Sequence, residues 1–230
     1  MIIGIIGAMD EEIFQIKEHM QLERIEKKAG MEFYMGKFLD KEVVVVRSGI
    51  GKVNAAICTQ ILIDDFNVDV VVNTGIAGGV YEEINPGDVV ISTDLVHHDM
   101  DTTAFGDRIG QVPRMDVYSF KADSRLVDLA FSSATQMDGF KVYRGRIVSG
   151  DQFIADHIKI KKLREIFGAY AVEMEGAAIG HTCYANGIPF VVIRSISDRA
   201  DGSAHIDYET FKNMAIHNSI GILKNMIRNM

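Results

Sequence analysis

The stretch Val68-Asp69-Val70-Val71-Val72-Asn73-Thr74-Gly75-Ile76-Ala77-Gly78-Gly79 carries the reading of the fold. Its first half is an almost unbroken valine run without polar alternation. That is the pattern of a strand covered on both faces. It predicts a buried strand over Val68–Asn73 that ends in a glycine turn. Similar apolar runs recur at Ile2–Ile6, Val43–Arg47, Asp88–Ser92, Tyr143–Ser149 and Phe190–Ile196. Tyr170-Ala171-Val172 is a shorter one. Glu32–Leu39 and Val43–Arg47, with Asp40-Lys41 between them, read as an antiparallel hairpin.

Helical patterns fill the intervals. They are predicted over Glu11–Met20, Val53–Phe66, Ser124–Met137, His157–Phe167, Met174–Asn186 and Tyr208–Met230. The fifth ends at Asn186-Gly187 with Pro189 just beyond, a strong stop signal. No repeat or low-complexity linker interrupts the alternation. The expectation is a single α/β domain over residues 1–230, with a mixed, mostly parallel central sheet and helices on both faces.

Composition bounds the function. The chain has 230 residues, 47% hydrophobic and 24% charged, an ordinary globular balance. With 24 basic and 32 acidic side chains its formal net charge is -8, which argues against nucleic acid or anionic membrane as partner. The cations Lys159, Lys161, Lys162 and Arg164 fall in a helical pattern and read as a solvated face. Two cysteines, Cys58 and Cys183, form no CxxC, so a reduced, cytoplasmic setting is expected. The apolar start at Met1 lacks a basic leader and meets Asp10, so it reads as a strand and not as a signal or a membrane span.

In open α/β sheets, ligands bind beyond the carboxyl ends of the strands. Here those ends lead into Asp10-Glu11-Glu12, Thr74-Gly75, Glu173-Met174-Glu175 and Ser197-Asp198. Taken singly, each acid has an ordinary explanation. Asp10, Glu11 and Glu12 open a helix and suit its dipole, and Asp198 can cap a turn. Their joint placement at strand ends points instead to one pocket.

Several other motifs fail on inspection. The glycine segment is not GxGxxG, which removes a dinucleotide cofactor. Ser48-Gly49-Ile50-Gly51-Lys52 lacks the first glycine and the closing Ser/Thr of a phosphate loop. His97-His98-Asp99 places neighbours on opposite strand faces, so no metal site is expected. No GxSxG elbow supplies a serine nucleophile.

Together the segments resemble the 5′-methylthioadenosine/S-adenosylhomocysteine nucleosidases of the nucleoside phosphorylase superfamily. The matching pieces are Ile3-Gly4-Ile5-Ile6-Gly7-Ala8-Met9 with its acid triplet, Ser48-Gly49-Ile50-Gly51-Lys52-Val53-Asn54-Ala55-Ala56, and Asn73-Thr74-Gly75 with Ala77-Gly78-Gly79. They continue through His98-Asp99, Thr103-Ala104-Phe105-Gly106, Ile147-Val148-Ser149-Gly150-Asp151, Ala171-Val172-Glu173-Met174-Glu175 and Arg194-Ser195-Ile196-Ser197-Asp198. The order is the family's and the likeness spans essentially the whole chain.

The resemblance implies roles and no cofactor. Glu12 would activate water, and Asp198, oriented by Ser197, would serve purine N7. Glu175 would hold the ribose hydroxyls with Met174 packed beside them. Ala77, Gly78 and Ile154 would line the nucleoside site, and Phe153 would stack on the purine. Met9 and Ile50, with Phe105 and Pro113 from a partner subunit, would roof the 5′-thio group, so a homodimer is implied. The chain departs from the family at Ile76, where serine is common, and at Asp107, Gly176 and Tyr208, the last at the 5′ end of the site.

The chemistry accounts for the acid pair. Cleaving a ribosyl C1′–N9 bond builds positive charge on the sugar and negative charge on the base, as in glycoside hydrolysis. Each positioned proton-transfer group contributes ~10²–10⁴ in rate. If Asp198 is protonated beforehand, its pKa must rise from ~3.9 to about 7, near 4 kcal/mol. Alternatives from this reading are a phosphate-dependent purine nucleoside phosphorylase, an aminodeoxyfutalosine nucleosidase, and a nucleoside-binding protein without catalysis. An acid triplet without arginine after the first strand disfavours phosphate.

Overall fold

The computed structural model describes residues 1–199 and 204–230, the side chains of 204–209 excepted. The elements run β1 (Ile2–Gly7), α1 (Asp10–His19), β2 (Gln21–Lys28), β3 (Met31–Phe38), β4 (Lys41–Arg47), α2 (Lys52–Phe66), β5 (Val70–Gly79) and β6 (Val89–His97). They continue as β7 (Phe120–Lys121), α3 (Ser124–Ala134), β8 (Val142–Ser149), α4 (His157–Phe167), β9 (Ala169–Glu173), α5 (Gly176–Asn186), β10 (Phe190–Asp198) and α6 (Ala204–Arg228). The result is an α/β fold with one mixed sheet and helices on both faces, as expected from the sequence.

The valine run of β5 sits at the centre. It pairs in parallel with β1 and β10 and antiparallel with β9. Because β10 also pairs β6, and β6 leads through β8 to β9, these strands close into a ring. A wing of β1, β4, β3 and β2 extends from it.

Successive β5 side chains feed opposite cores, which explains the absence of polar alternation. Val70 and Val72 pack with Ile3, Ile13, Ile16 and Leu223. Val71 packs with Cys58, Leu62, Ile179 and Cys183. Thus α1, α3 and α6 cover one face and α2 and α5 the other.

The β3–β4 hairpin is present, and its turn residues Leu39 and Asp40 both have positive φ, 51° and 63°. That is the handedness a two-residue hairpin turn needs. The Asn186-Gly187 stop also operates, with Gly187 at φ 68°.

Three features differ from expectation. The glycine segment is not a turn: β5 continues through it to Gly79. Gly78 and Gly79 remain extended and pair with β9, and a Cβ at Gly79 would lie 2.7 Å from Ile84. These glycines admit close neighbours instead of reversing the chain. The charged segment Gln21–Lys28 is a strand at the sheet's edge, exposed on both sides, so it carries no alternation. Similarly, α5 begins at Gly176 and not at Met174, because Glu175 acts as its N-terminal boundary residue.

Candidate active site

The last residues of β5, β8, β9 and β10 converge, with Ser149 opposite Glu173, Val172 opposite Gly78 and Gly78 opposite Asp198. A cavity of about 130 Å³ opens there. Glu12, Glu175 and Asp198 line it, as do Ala77, Gly78, Met174 and Ser197. Met9 and Ile50 come from the loops after β1 and β4, and Phe153 from the loop after β8. Ile154 lies in an adjoining recess with Phe153 and Met174. Phe105 and Pro113 are exposed on the long loop between β6 and β7 and do not line this cavity. Tyr208 belongs to α6, with its side chain outside the described residues.

Glu12 serves two purposes at once. As the third residue of α1 it reaches back to the helix start, where Oε2 accepts the amides of Ala8 (2.7 Å) and Met9 (3.0 Å). Its Oε1 accepts the Ile76 amide at 3.0 Å, so Ile76 contributes a polar contact through its main chain. The capping explanation and the cavity explanation therefore coincide in one side chain. Glu12 is 3% exposed, whereas Asp10 and Glu11 are exposed. Burial raises the Glu12 pKa, opposed by Arg194 and the three amides.

Asp198 is buried at the end of β10, and its Oδ2 accepts the Ser197 hydroxyl at 2.7 Å. This hydroxyl fixes one carboxyl oxygen. Glu175 is also buried, and its Oε1 accepts the Gly51 amide at 2.9 Å. Burial, then the charge of Glu173, pushes the Glu175 pKa up to about 8.

The residue that sequence reasoning passed over is Arg194. It lies inside the Phe190–Ile196 run, 1% exposed, and bonds Glu173 and, at 2.7 Å, Oδ1 of Asn73. Glu173 in turn accepts the Ser149 hydroxyl and the amides of Glu175 and Gly176. Burial alone would lower the guanidinium pKa, but Glu173, Glu175 and Glu12 together raise it. A lone cation inside a continuous Val/Ile strand was the available signal, since a fully buried charge requires partners.

The Ile50 loop is clamped from below. Lys52 Nζ lies 2.5 Å from Asp99, the Lys52 amide donates to Asp151 at 2.8 Å, and the Asp151 amide donates to Asp99 at 3.0 Å. This clamp sets the Gly51 amide on Glu175. Gly51 has φ 98°, which the turn requires.

Chemically, the cavity joins apolar walls to three buried carboxyl groups in different surroundings. One is gripped by amides, one is bound to a hydroxyl, and one is driven towards its neutral form. That suits acid–base work on a small, largely neutral ligand.

Comparison with known proteins agrees with this geometry. The sequence profile of the phosphorylase superfamily matches residues 2–228. The chain is 44% identical over 229 residues to the 5′-methylthioadenosine/S-adenosylhomocysteine nucleosidase of Bacillus pumilus, covering 99% of each. Its structure is similar to that of the Neisseria meningitidis nucleosidase of the same name in complex with methylthio-immucillin-A. There the TM-score is 0.96 and the identity 40%, over 100% of this chain and 99% of the other. The futalosine hydrolase of Helicobacter pylori is also similar, with TM-score 0.93 and 35% identity over 100% and 98%.

Proposed function

Because the chain belongs to the 5′-methylthioadenosine/S-adenosylhomocysteine nucleosidases of the phosphorylase superfamily, we propose that its cavity takes these nucleosides with Glu12 as base and Asp198 as acid. The enzyme is a hydrolase. It cleaves the N-glycosidic bond of 5′-methylthioadenosine and S-adenosylhomocysteine, releasing adenine and the thioribose, and 5′-deoxyadenosine is a further candidate substrate. This activity serves methionine salvage and recycling of the methyl cycle. The observation that carries the site reading is the convergence of buried Glu12 and Asp198 on one cavity.

In this reading ionised Glu12 takes a proton from water as the water attacks C1′. The amides of Ala8, Met9 and Ile76 hold the carboxylate in place, so little reorganisation is needed. Asp198, steadied by Ser197, donates a hydrogen bond or a proton to N7 and so accepts the charge that develops on the base. Glu175 bonds the ribose hydroxyls, Met174 packs on the sugar, and Phe153 stacks on the purine. Ala77, Gly78 and Ile154 shape the wall, Met9 and Ile50 roof the 5′ group, and Tyr208 stands at the 5′ end.

Water is favoured over phosphate by local charge. Among the described residues, the buried cation beside these acids is Arg194, which is already met by Glu12, Glu173 and Glu175. Three acids around one base oppose a phosphate dianion.

A homodimer is part of the proposal, with Phe105 and Pro113 of one subunit closing the other's roof. In support, Phe105 is 88% and Val53 68% exposed, and Ile57 and Tyr184 are exposed as well. We place the enzyme in the cytoplasm. In support, Cys58 and Cys183 are free, buried thiols, and no helix among the described residues is long and apolar enough to cross a membrane.

The test is a substrate panel read by adenine release in phosphate-free buffer, with 6-amino-6-deoxyfutalosine as one arm. Fast release from the two thio-nucleosides without phosphate is the expected result. Strict phosphate dependence, or turnover of the futalosine compound alone, would overturn it.

A further inference from the structure

We propose that Gly75 is a positioning residue for the Glu12 carboxylate, present for the space above its Cα and not for its backbone conformation. The inference rests on the reading of Glu12 as the base.

Glycine is an unfavourable choice within a strand, so it calls for a reason. Conformation does not supply one. Gly49 and Gly51 have φ of 82° and 98°, but Gly75 is outside the left-handed region, within the extended run of β5. An alanine there would meet no backbone strain.

Space does supply one. Gly75 stands opposite Arg194 on β10. A Cβ built on Gly75 would lie 2.5 Å from Arg194 Nη1 and 2.5 Å from Glu12 Oε1, with the Glu12 carboxyl carbon at 3.0 Å. The guanidinium from β10 and the carboxylate from α1 thus both lie over one bare Cα. By contrast, a Cβ at Gly7 would press on Ile13 and on Glu12 Cβ, and would stay 3.5 Å from the carboxylate oxygen.

Neither neighbour is a loose end. Arg194 is tied to Glu173 and Asn73, and Glu12 to three amides. A methyl group must move both atoms. Arg194 Nη1 makes no hydrogen bond among the described residues and can give way while Nε and Nη2 keep theirs, whereas Oε1 can retreat only by leaving an amide. Of the two shifts, the one that costs a hydrogen bond is that of Glu12 Oε1, whose one bond among the described residues comes from the Ile76 amide. Glu12 then loses both its aim at the cavity and its closeness to Arg194, which favours its ionised form. The acid limb of activity, set by Glu12 ionisation, moves to higher pH.

The test is a double-mutant cycle of Gly75→Ala and Glu12→Ala, read by adenine release, by pH profile and by thermal melting. Gly75→Ala is expected to lower kcat about 100-fold, the scale of one positioned proton-transfer group, with KM within about threefold. Its acid limb should lie at higher pH than that of the unsubstituted enzyme. In the Glu12→Ala background the added methyl should change the residual rate by less than about threefold, since no carboxylate remains to displace. Full activity in Gly75→Ala, or an equal loss in both backgrounds, overturns the inference alone. Full activity in Glu12→Ala overturns the base assignment and the inference with it. If Gly75→Ala does not fold by itself, the double variant should recover a cooperative melt. A double variant that also fails to melt cooperatively overturns the inference.

Discussion

Nη2 of Arg194 lies 3.6 Å from Oε2 of Glu175 while the same atom bonds Glu173. One buried guanidinium thus holds two carboxylates from the β9–α5 junction, with Glu12 on a third side. Removing one partner of such a group costs far more than its net contribution, because the remaining charges stay buried.

Arg194→Met should therefore destabilise the protein by about 3–5 kcal/mol. For a chain of this size that is a Tm drop of roughly 6–20 °C. Thermal melting measures it. A Tm unchanged within 2 °C would show that the acids do not depend on this cation.

Glu175 makes stability depend on pH. Its folded pKa of about 8 lies above its unfolded value, so the fold favours the protonated form. That contribution is complete below the unfolded pKa of ~4.3 and is lost as pH rises through about 8. Glu175→Gln mimics the neutral acid at every pH. It should match the unsubstituted Tm near pH 4 and exceed it by a few degrees at pH 8.5. Equal Tm values at both pH values would contradict the raised pKa.

Glu12→Gln and Asp198→Asn should each lower kcat at least 100-fold while adenine still binds within a few-fold. Single-turnover kinetics and calorimetric titration separate the two effects. Retained turnover in either variant removes that residue from its role.

These acids were visible in the sequence because strand ends are a place to look, and apolar runs reveal the strands. Glu12, Glu175 and Asp198 each follow such a run. Arg194 escapes such a reading for the opposite reason, since it sits inside a run whose neighbours announce a core. Strand β2 left no trace because both its sides face water, so no alternation marks it. The glycines of β5 suit a turn in the sequence because glycine permits both a turn and close packing, and only the neighbours distinguish them. The closed ring depends on β10 meeting both β5 and β6, a pairing between distant segments that local pattern does not encode.

The clamp under the Ile50 loop should act on binding more than on chemistry. Lys52→Met removes the ammonium from Asp99 and loosens the Gly51 amide that orients Glu175. The expected result is a KM raised about tenfold with kcat within about threefold. Steady-state kinetics decides it, and a kcat loss with constant KM would refute the clamp's assigned part.

The dimer proposal makes a separate prediction. Val53→Asp puts a charge on the exposed apolar surface near Ile57, and should yield a monomer by sedimentation with reduced activity. A fully active monomer would contradict a roof built by the partner.

Strand β5 bonds to β1, β9 and β10, so its amides are shared among three neighbours instead of two. Local opening cannot release such a strand without breaking the ring and the wing together. Its amides should accordingly be among the last to exchange with deuterium. The floor of the cavity then keeps its shape on the timescale of the whole molecule's unfolding, and adjustment to different 5′ groups falls to the loops above it.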